Sequence, residues 1–142
     1  MKQFSFNNNE ITAGIKFTKT INENLGSILR SENVDIKHIS FIYCTDDFLS
    51  ALNMKYLKHD TLTDVLTFTL STINAPLEAE IYISVERVRE NATIFKTDYQ
   101  RELLRVMIHG ILHLCGYNDT TLGEQDIIRK RENYYLDSFG FT

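Results

Sequence analysis

Two histidines, a glycine and an aspartate lie close together in the segment 109–119, which reads HGILHLCGYND. Apolar residues recur at helical spacing before and between the histidines, so His109 and His113, four residues apart, lie on one face of a predicted helix. Gly116 stands where a left-handed residue would end that helix, and a chain reversal there brings the next few residues back toward the imidazoles. Asp119 is therefore the predicted third donor of a metal site. Three protein donors leave a coordination position open, which is typical of catalytic metal sites rather than structural ones.

Other interpretations of this segment stay open at this point. A histidine pair at this spacing also occurs by coincidence, and it is the glycine turn with the acidic residue that favours a metal site. Asn118 could ligate through its amide oxygen, although a neutral amide is a weaker ligand than a carboxylate, and Glu124 is a more distant candidate. Cys115 lies two residues beyond His113 and points away from it. We predict that Cys115 and Cys44 are buried, reduced thiols.

The residue after the first histidine argues against a protease. Zinc metalloproteases carry a glutamate there as general base, in the motif HExxH, whereas this chain has Gly110. A phosphodiester suits the site better, because its anionic oxygens bind a metal and basic side chains. Arg105, one turn before His109, is the predicted phosphate contact, and Glu102 would orient it. The alternative is a plain surface ion pair between Glu102 and Arg105.

Composition and charge narrow the possible partners. The chain has 142 residues, 43% of them hydrophobic and 24% charged, which predicts a single domain with one core. It carries 15 Lys and Arg against 19 Asp and Glu, a net charge of −4, so any polyanion must be met by a local patch. The N-terminus lacks the apolar run of a signal peptide and no segment is apolar over the length of a membrane helix. We therefore predict a cytoplasmic protein without membrane contact.

A mixed layer of strands and helices must position these residues. Strands are predicted at 2–6, as an edge strand, and at 38–44, 64–70 and 79–85, the last two as an antiparallel pair. Helices are predicted at 12–30, 45–57, 84–95, 98–115 and 122–139, with Thr45 or Asp46 as the cap of the second. The predicted fold class is α/β (α+β): a single domain with a mixed sheet of about four strands packed with about five helices.

Three segments resemble the signature sequences of the YbeY family of metal-dependent endoribonucleases. HGILHLCGYND is similar to HGxLHLxGYDH, LNMKYLKHDTLTDVLTF at 52–68 looks like LNxxYRxxDxPTDVLSFP, and AEIYIS at 79–84 stands in the place of GDIxIS. The motifs occur in the same order. The resemblance implies a central four-stranded sheet, a zinc ion in a three-donor site, and a role in ribosomal RNA maturation and ribosome quality control. The first two histidines of the signature fall on His109 and His113.

The chain departs from the family pattern near the site. The third histidine of the signature falls on Asp119, so this ligand is inferred from the chemistry of the carboxylate and not from identity. The arginine of the family's YR pair is Leu57 here, which leaves Lys58 and His59 as the predicted nearby contacts for RNA.

Two functions of different classes follow from these observations. The first is a single-strand-specific endoribonuclease, a metal-dependent hydrolase acting on ribosomal RNA, with Zn²⁺ or another divalent transition metal as cofactor. RNA and the ribosome would be its partners, and no DNA is expected. The second is a non-catalytic ribosome assembly or RNA-binding factor, in which the metal mainly ties the helix end to the following turn. The presence of three plausible donors favours the nuclease; no residue is assigned as general base.

Overall fold

A four-stranded mixed sheet lies at the centre of the computed structural model, which describes residues 3–57 and 63–141. Its strands are β1 (Phe4–Asn8), β2 (Ile36–Cys44), β3 (Val65–Thr69) and β4 (Leu77–Ser84). They are arranged in the order β1-β2-β4-β3; β1, β2 and β4 run parallel, and β3 runs antiparallel to β4. The predicted antiparallel pair and the predicted edge position of the first strand are both confirmed.

Five α-helices pack with the sheet: α1 (Lys19–Ser31), α2 (Asp46–Leu52), α3 (Val85–Ile94), α4 (Tyr99–Leu114) and α5 (Leu122–Ser138). A π-helical turn at Asn53–Leu57 continues α2, and Thr45 caps α2 as one of the two predictions had it, accepting the N–H of Phe48. The predicted fold class is confirmed. None of the helices in the described ranges has the length and apolarity that a membrane crossing requires.

The first helix begins later than the sequence predicts. The predicted range 12–30 is wrong at its N-terminal end, because α1 starts only at Lys19. Gly14 has a φ of +76°, which is incompatible with a right-handed helix, and the side chain of Thr18 then caps the new helix. The carbonyl of Ala13 accepts a hydrogen bond from a tyrosine of α4, so this irregular segment is held against the core by a contact distant in sequence.

Helix α4 is the central element of the hydrophobic core. Between Glu102 and Leu112 every residue but His109 is buried, and the helix packs against β3 and β4 as well as against α1, α3 and α5. The strands turn fully buried side chains such as Phe41 and Ile81 into the same core. A helix that is apolar on nearly all faces must be enclosed in this way. The enclosure fixes the position of α4, and with it the direction in which His109 projects.

Gly110 allows α4 to approach the sheet closely. A Cβ atom on this residue would lie 2.9 Å from Cγ2 and 3.2 Å from Cδ1 of Ile81, and 3.5 Å from Cγ2 of Val65. The first of these distances is shorter than normal van der Waals contact, so no larger side chain fits without movement. The missing side chain therefore sets the helix directly against β3 and β4 beside the histidine pair.

Candidate metal centre

Three predicted donors meet at the C-terminal end of α4. The Nε2 atoms of His109 and His113 are 2.9 Å apart, as expected for residues one helical turn apart on one face. Asp119 Oδ2 lies 3.4 Å from Nε2 of His109 and 3.3 Å from Nε2 of His113. Within the described residues this is the group of histidine, cysteine and acidic side chains whose ligand atoms, all within 4.8 Å of one another, could hold a metal ion.

The turn after α4 brings Asp119 back to the histidines. Gly116 has a φ of +105°, the left-handed conformation predicted for it, and its N–H donates to the carbonyl of His113. The backbone carbonyl of Asp119 accepts a hydrogen bond from the Gln125 side chain, which ties the turn to the start of α5. The aspartate side chain is 43% exposed, so the donor group opens to solvent on one side.

Both imidazoles are held through their other nitrogen. Nδ1 of His109 lies 2.6 Å from Glu132 Oε2, and Nδ1 of His113 lies 2.9 Å from the backbone carbonyl oxygen of Tyr117. A carbonyl oxygen can only accept a hydrogen bond, so Nδ1 of His113 carries the proton. The same assignment follows for His109 because its partner is a carboxylate. Metal-binding histidines are typically oriented by such partners.

This hydrogen bonding fits a bound cation. With the protons on Nδ1, the Nε2 atoms of the two imidazoles face each other over 2.9 Å, beside the Asp119 carboxylate. Three electron-pair donors at this separation repel one another unless a cation lies among them. Two imidazoles and a carboxylate form a donor set suited to zinc and related transition metals, and three ligands leave a position for substrate.

A buried ionic group stands behind His109. Glu132 and Glu102 are 1% and 2% exposed, and both pair with Arg105: its NH1 lies 3.0 Å from Glu132 Oε1, and its Nε lies 2.9 Å from Glu102 Oε1. Burial alone would raise the pKa of Glu132, but the hydrogen bond to His109 and the charge of Arg105 outweigh it and lower that pKa below its usual value. Glu132 is thus an ionised carboxylate in the protein interior.

A second carboxylate supports His113 through the turn. The hydroxyl of Tyr117 donates to Glu32 Oε1 over 2.8 Å, and Glu32 also accepts hydrogen bonds from Arg131 and Tyr135. Burial raises the pKa of Glu32, whereas these donors lower it, and the net result lies below the ordinary value. The C-terminal end of α1, the turn and α5 are therefore joined at the residue whose carbonyl orients His113.

Cavities border the donors on two sides. One of about 290 Å³ lies between β3 and α4 and is lined by residues 63–67 together with the three donors. Another, of about 490 Å³, lies toward α5 and includes Arg105, Arg129 and Glu132. Thr63 of the first cavity bonds locally to the backbone of Val65. Substrate can therefore approach the donors from the side of the edge strand or from that of α5.

The structure corrects the predicted surroundings of Arg105. A surface ion pair with Glu102 is wrong, because Arg105 is only 6% exposed and belongs to the buried group. Two carboxylates neutralise its charge, so little remains to attract a phosphate, and RNA contact by this residue stays a prediction without support from its contacts. Lys58 and His59 lie outside the described residues.

The other predicted candidates have different roles. Glu124 forms a capping box with Thr121 at the start of α5 instead of approaching the histidines. Cys44 is a buried free thiol as predicted, whereas Cys115 is only partly buried. Burial raises the pKa of both thiols to about 12.

Sequence reasoning missed Glu132 and the carbonyl of Tyr117. The first carries a detectable signal: Glu132 stands on the stripe of α5 that otherwise buries Ile128, Tyr135 and Leu136, a position where an apolar residue is expected. The carbonyl of Tyr117 carries no signal, because any residue provides one.

Known proteins share this architecture. The family model described as Endoribonuclease YbeY matches residues 3–140. The chain belongs to this family. The Endoribonuclease YbeY of Amoebophilus asiaticus is 49% identical over 118 residues, which cover 83% of this chain and 80% of that protein. The one from Christiangramia forsetii is 50% identical over 111 residues, 78% of this chain and 77% of that protein. The solution structure of TM1509 from Thermotoga maritima is similar with a TM-score of 0.67 and 31% identity, covering 96% of this chain and 88% of that one.

Membership in the Endoribonuclease YbeY family confirms the resemblance stated from three sequence segments. The predicted enzyme class, a nuclease of the hydrolase type, is confirmed with it. The group formed by His109, His113 and Asp119 could hold a metal, which is consistent with a metal-dependent nuclease.

Proposed function

We propose that this chain is a zinc-dependent endoribonuclease that cleaves single-stranded RNA in the cytoplasm, with ribosomal RNA as its substrate during ribosome maturation and quality control. His109, His113 and Asp119 are the proposed zinc ligands. The observation that carries the proposal is the convergence of three electron-pair donors, two of them imidazoles whose Nδ1 protons are already engaged. The relatives from Amoebophilus asiaticus and Christiangramia forsetii are named as endoribonucleases, which supports the class of reaction and of substrate.

The donor set favours zinc over magnesium or calcium. Magnesium and calcium prefer shells made of oxygen atoms, whereas imidazole nitrogens suit zinc and its transition-metal neighbours. When bound, such an ion supplies a Lewis acid that stabilises negative charge on phosphoryl oxygens. The protein's own part is to hold both imidazoles in one orientation, through Glu132 and the Tyr117 carbonyl, and to leave open space beside Asp119.

The surroundings of the donors support a nuclease rather than a peptidase. Gly110 occupies the place of the metalloprotease glutamate, and its packing against Ile81 leaves no room for a longer side chain. The cavity between β3 and α4 is a recess beside an edge strand, which suits an unpaired strand better than a duplex, whose bases are stacked inside. Lys58 and His59 are the proposed phosphate contacts.

The test compares three preparations: metal-depleted protein, the same protein reconstituted with zinc, and His109→Ala treated with zinc. Each is incubated with an end-labelled single-stranded RNA of ribosomal sequence and with the same RNA annealed to its complement. We expect cleavage only by the reconstituted protein and only of the single strand.

Metal content and folding are measured on the same samples. We expect one zinc per chain in the reconstituted protein by elemental analysis, and loss of zinc in His109→Ala and His113→Ala with unchanged far-ultraviolet circular dichroism. Full zinc occupancy in either variant would overturn the ligand assignment. Zinc binding without cleavage of any RNA would instead favour the non-catalytic assembly factor.

A further inference from the structure

Glu132 is a buried carboxylate that uses both of its oxygens. Oε2 lies 2.6 Å from Nδ1 of His109, and Oε1 lies 3.0 Å from NH1 of Arg105. The residue belongs to α5 and is 1% exposed, whereas His109 belongs to α4. An ionised group in the protein interior is unfavourable unless partners compensate it, so its retention on an apolar helix stripe calls for a specific role.

Two buried carboxylates and two guanidinium groups stand behind His109. Glu102 and Glu132 both pair with Arg105, and Arg129 Nε lies 3.8 Å from Glu132 Oε1. Asp64 Oδ2 lies 3.9 Å from NH2 of Arg105. Within this group, Glu132 is the carboxylate in contact with the imidazole of His109, at the ring nitrogen opposite Nε2. A cation bound at Nε2 of His109 would interact favourably with the Glu132 carboxylate across the ring.

We propose that Glu132 is the positioning residue of the metal site, which fixes His109 as the Nδ1–H tautomer with Nε2 directed at the metal, while Arg105 holds Glu132 in place. This inference rests on the proposed function, because it concerns the same metal site. Glu132 touches neither metal nor substrate and acts through His109. The carboxylate also makes the imidazole a stronger electron-pair donor, since it stabilises positive charge on the ring.

Glu102 provides a matched control for this role. It is as deeply buried as Glu132 and pairs with the same guanidinium, but its described hydrogen bonds go to Arg105 and not to His109. Glu102→Gln and Glu132→Gln therefore remove the same charge from the same buried group. They differ in whether the charge next to His109 is lost.

The first measurement is zinc affinity, by competition with a chromophoric chelator. Glu132→Gln is expected to bind zinc roughly 10–100-fold more weakly than wild type, the usual effect of losing such a partner. Glu132→Ala should bind more weakly still, because an amide oxygen can accept the Nδ1–H bond and a methyl group cannot. Glu102→Gln should stay close to wild type.

The second measurement needs no metal. Nitrogen-15 NMR of the imidazoles in metal-free protein reports which nitrogen carries the proton. We expect the Nδ1–H tautomer at His109 in the wild type and in Glu132→Gln, and a mixture of tautomers in Glu132→Ala. A general loss of stability would not change the ratio of the two His109 tautomers in the folded molecules.

The outcomes separate the two proposals. A wild-type chain that binds no zinc but shows the Nδ1–H tautomer at His109, lost in Glu132→Ala, overturns the proposed function and retains the orienting contact. Zinc binding by Glu132→Gln and Glu132→Ala that equals wild type overturns the positioning role, and so does an equal loss in Glu102→Gln. If the Glu132 variants do not fold, an Nε2–H tautomer at His109 in wild type overturns it, and an Nδ1–H tautomer supports it.

Discussion

Gly110→Ala tests the energetic effect of the close approach of α4 to the sheet. Two effects of opposite sign act at this position. Alanine favours the helix over glycine by about 1 kcal/mol, whereas overpacking a well-packed core costs about 1–3 kcal/mol. The new Cβ would lie 2.9 Å from Cγ2 of Ile81, a fully buried side chain on a central strand that cannot move aside easily. We therefore expect a net destabilisation of about 1 kcal/mol.

The control is another helical glycine, whose nearest neighbour can move aside. At Gly26 in α1 the nearest atom to an added Cβ is NH1 of Arg30 at 3.2 Å, the end of a flexible side chain. Gly26→Ala should thus stabilise the protein by up to about 1 kcal/mol. Both variants are compared with wild type by urea denaturation followed by circular dichroism, and the slope of the unfolding free energy against urea should stay constant.

The same substitution in an Ile81→Ala background should change stability in the opposite direction. Ile81→Ala removes the two atoms nearest to the new Cβ, at a cost of about 2–5 kcal/mol in its own right. In that background Gly110→Ala should become stabilising, because only the helix preference remains. The reasoning is refuted if Gly110→Ala is at least as stable as wild type, or if it changes stability equally in both backgrounds.

Three further predictions concern Asp119, Glu32 and the two cysteines. Asp119→Ala should weaken zinc binding measured by chelator competition while leaving urea stability nearly unchanged, because the side chain is 43% exposed; unchanged affinity would remove Asp119 from the ligand set. The pKa of Glu32 is lower in the folded protein than in the unfolded chain, where it is about 4.3. Its contribution to stability is therefore present above about pH 4.3 and is lost as the pH falls through the pKa of the folded protein. Glu32→Gln should accordingly cost about 1–2 kcal/mol at pH 7 and progressively less in acid, and a loss independent of pH would contradict this. Cys44 and Cys115, with pKa values raised to about 12, should react with a thiol reagent at pH 7 far more slowly than a free cysteine, and rapid labelling of the folded protein would contradict the raised pKa values.

Residue spacing and turn residues predicted the parts of the site that depend only on neighbouring positions in the chain. The four-residue spacing of His109 and His113 places both on one face of any helix, and Gly116 marks the reversal that returns Asp119. The strand pairing and the number of elements followed from composition and turns in the same way. Helical periodicity extended the first helix too far, because the turn at Gly14 depends on a positive φ and on a contact from α4.

Contacts between distant segments could not be predicted from the same patterns. Glu132 meets His109 because α5 packs against α4, and the same helix contact brings Glu132 to Arg105. From the sequence alone, Glu102 and Arg105 are predicted to form a surface ion pair, because residue spacing does not show which face of a helix is buried against other elements. The charged residues on the apolar stripes of α4 and α5 were the sign of an interior ionic group.

Two of the three donors lie on the core helix and one lies in an exposed turn, and this difference determines how the site can change during evolution. His109 and His113 belong to the helix that fills the core, so most replacements around them disturb folding as well as metal binding. Asp119 belongs to an exposed turn whose backbone is held by Gln125, and a different side chain there alters the donor without loosening the interior. Mutations can therefore exchange histidine, aspartate or another ligand at position 119 at little cost to stability. At this turn, relatives with the same fold can acquire different metal preferences.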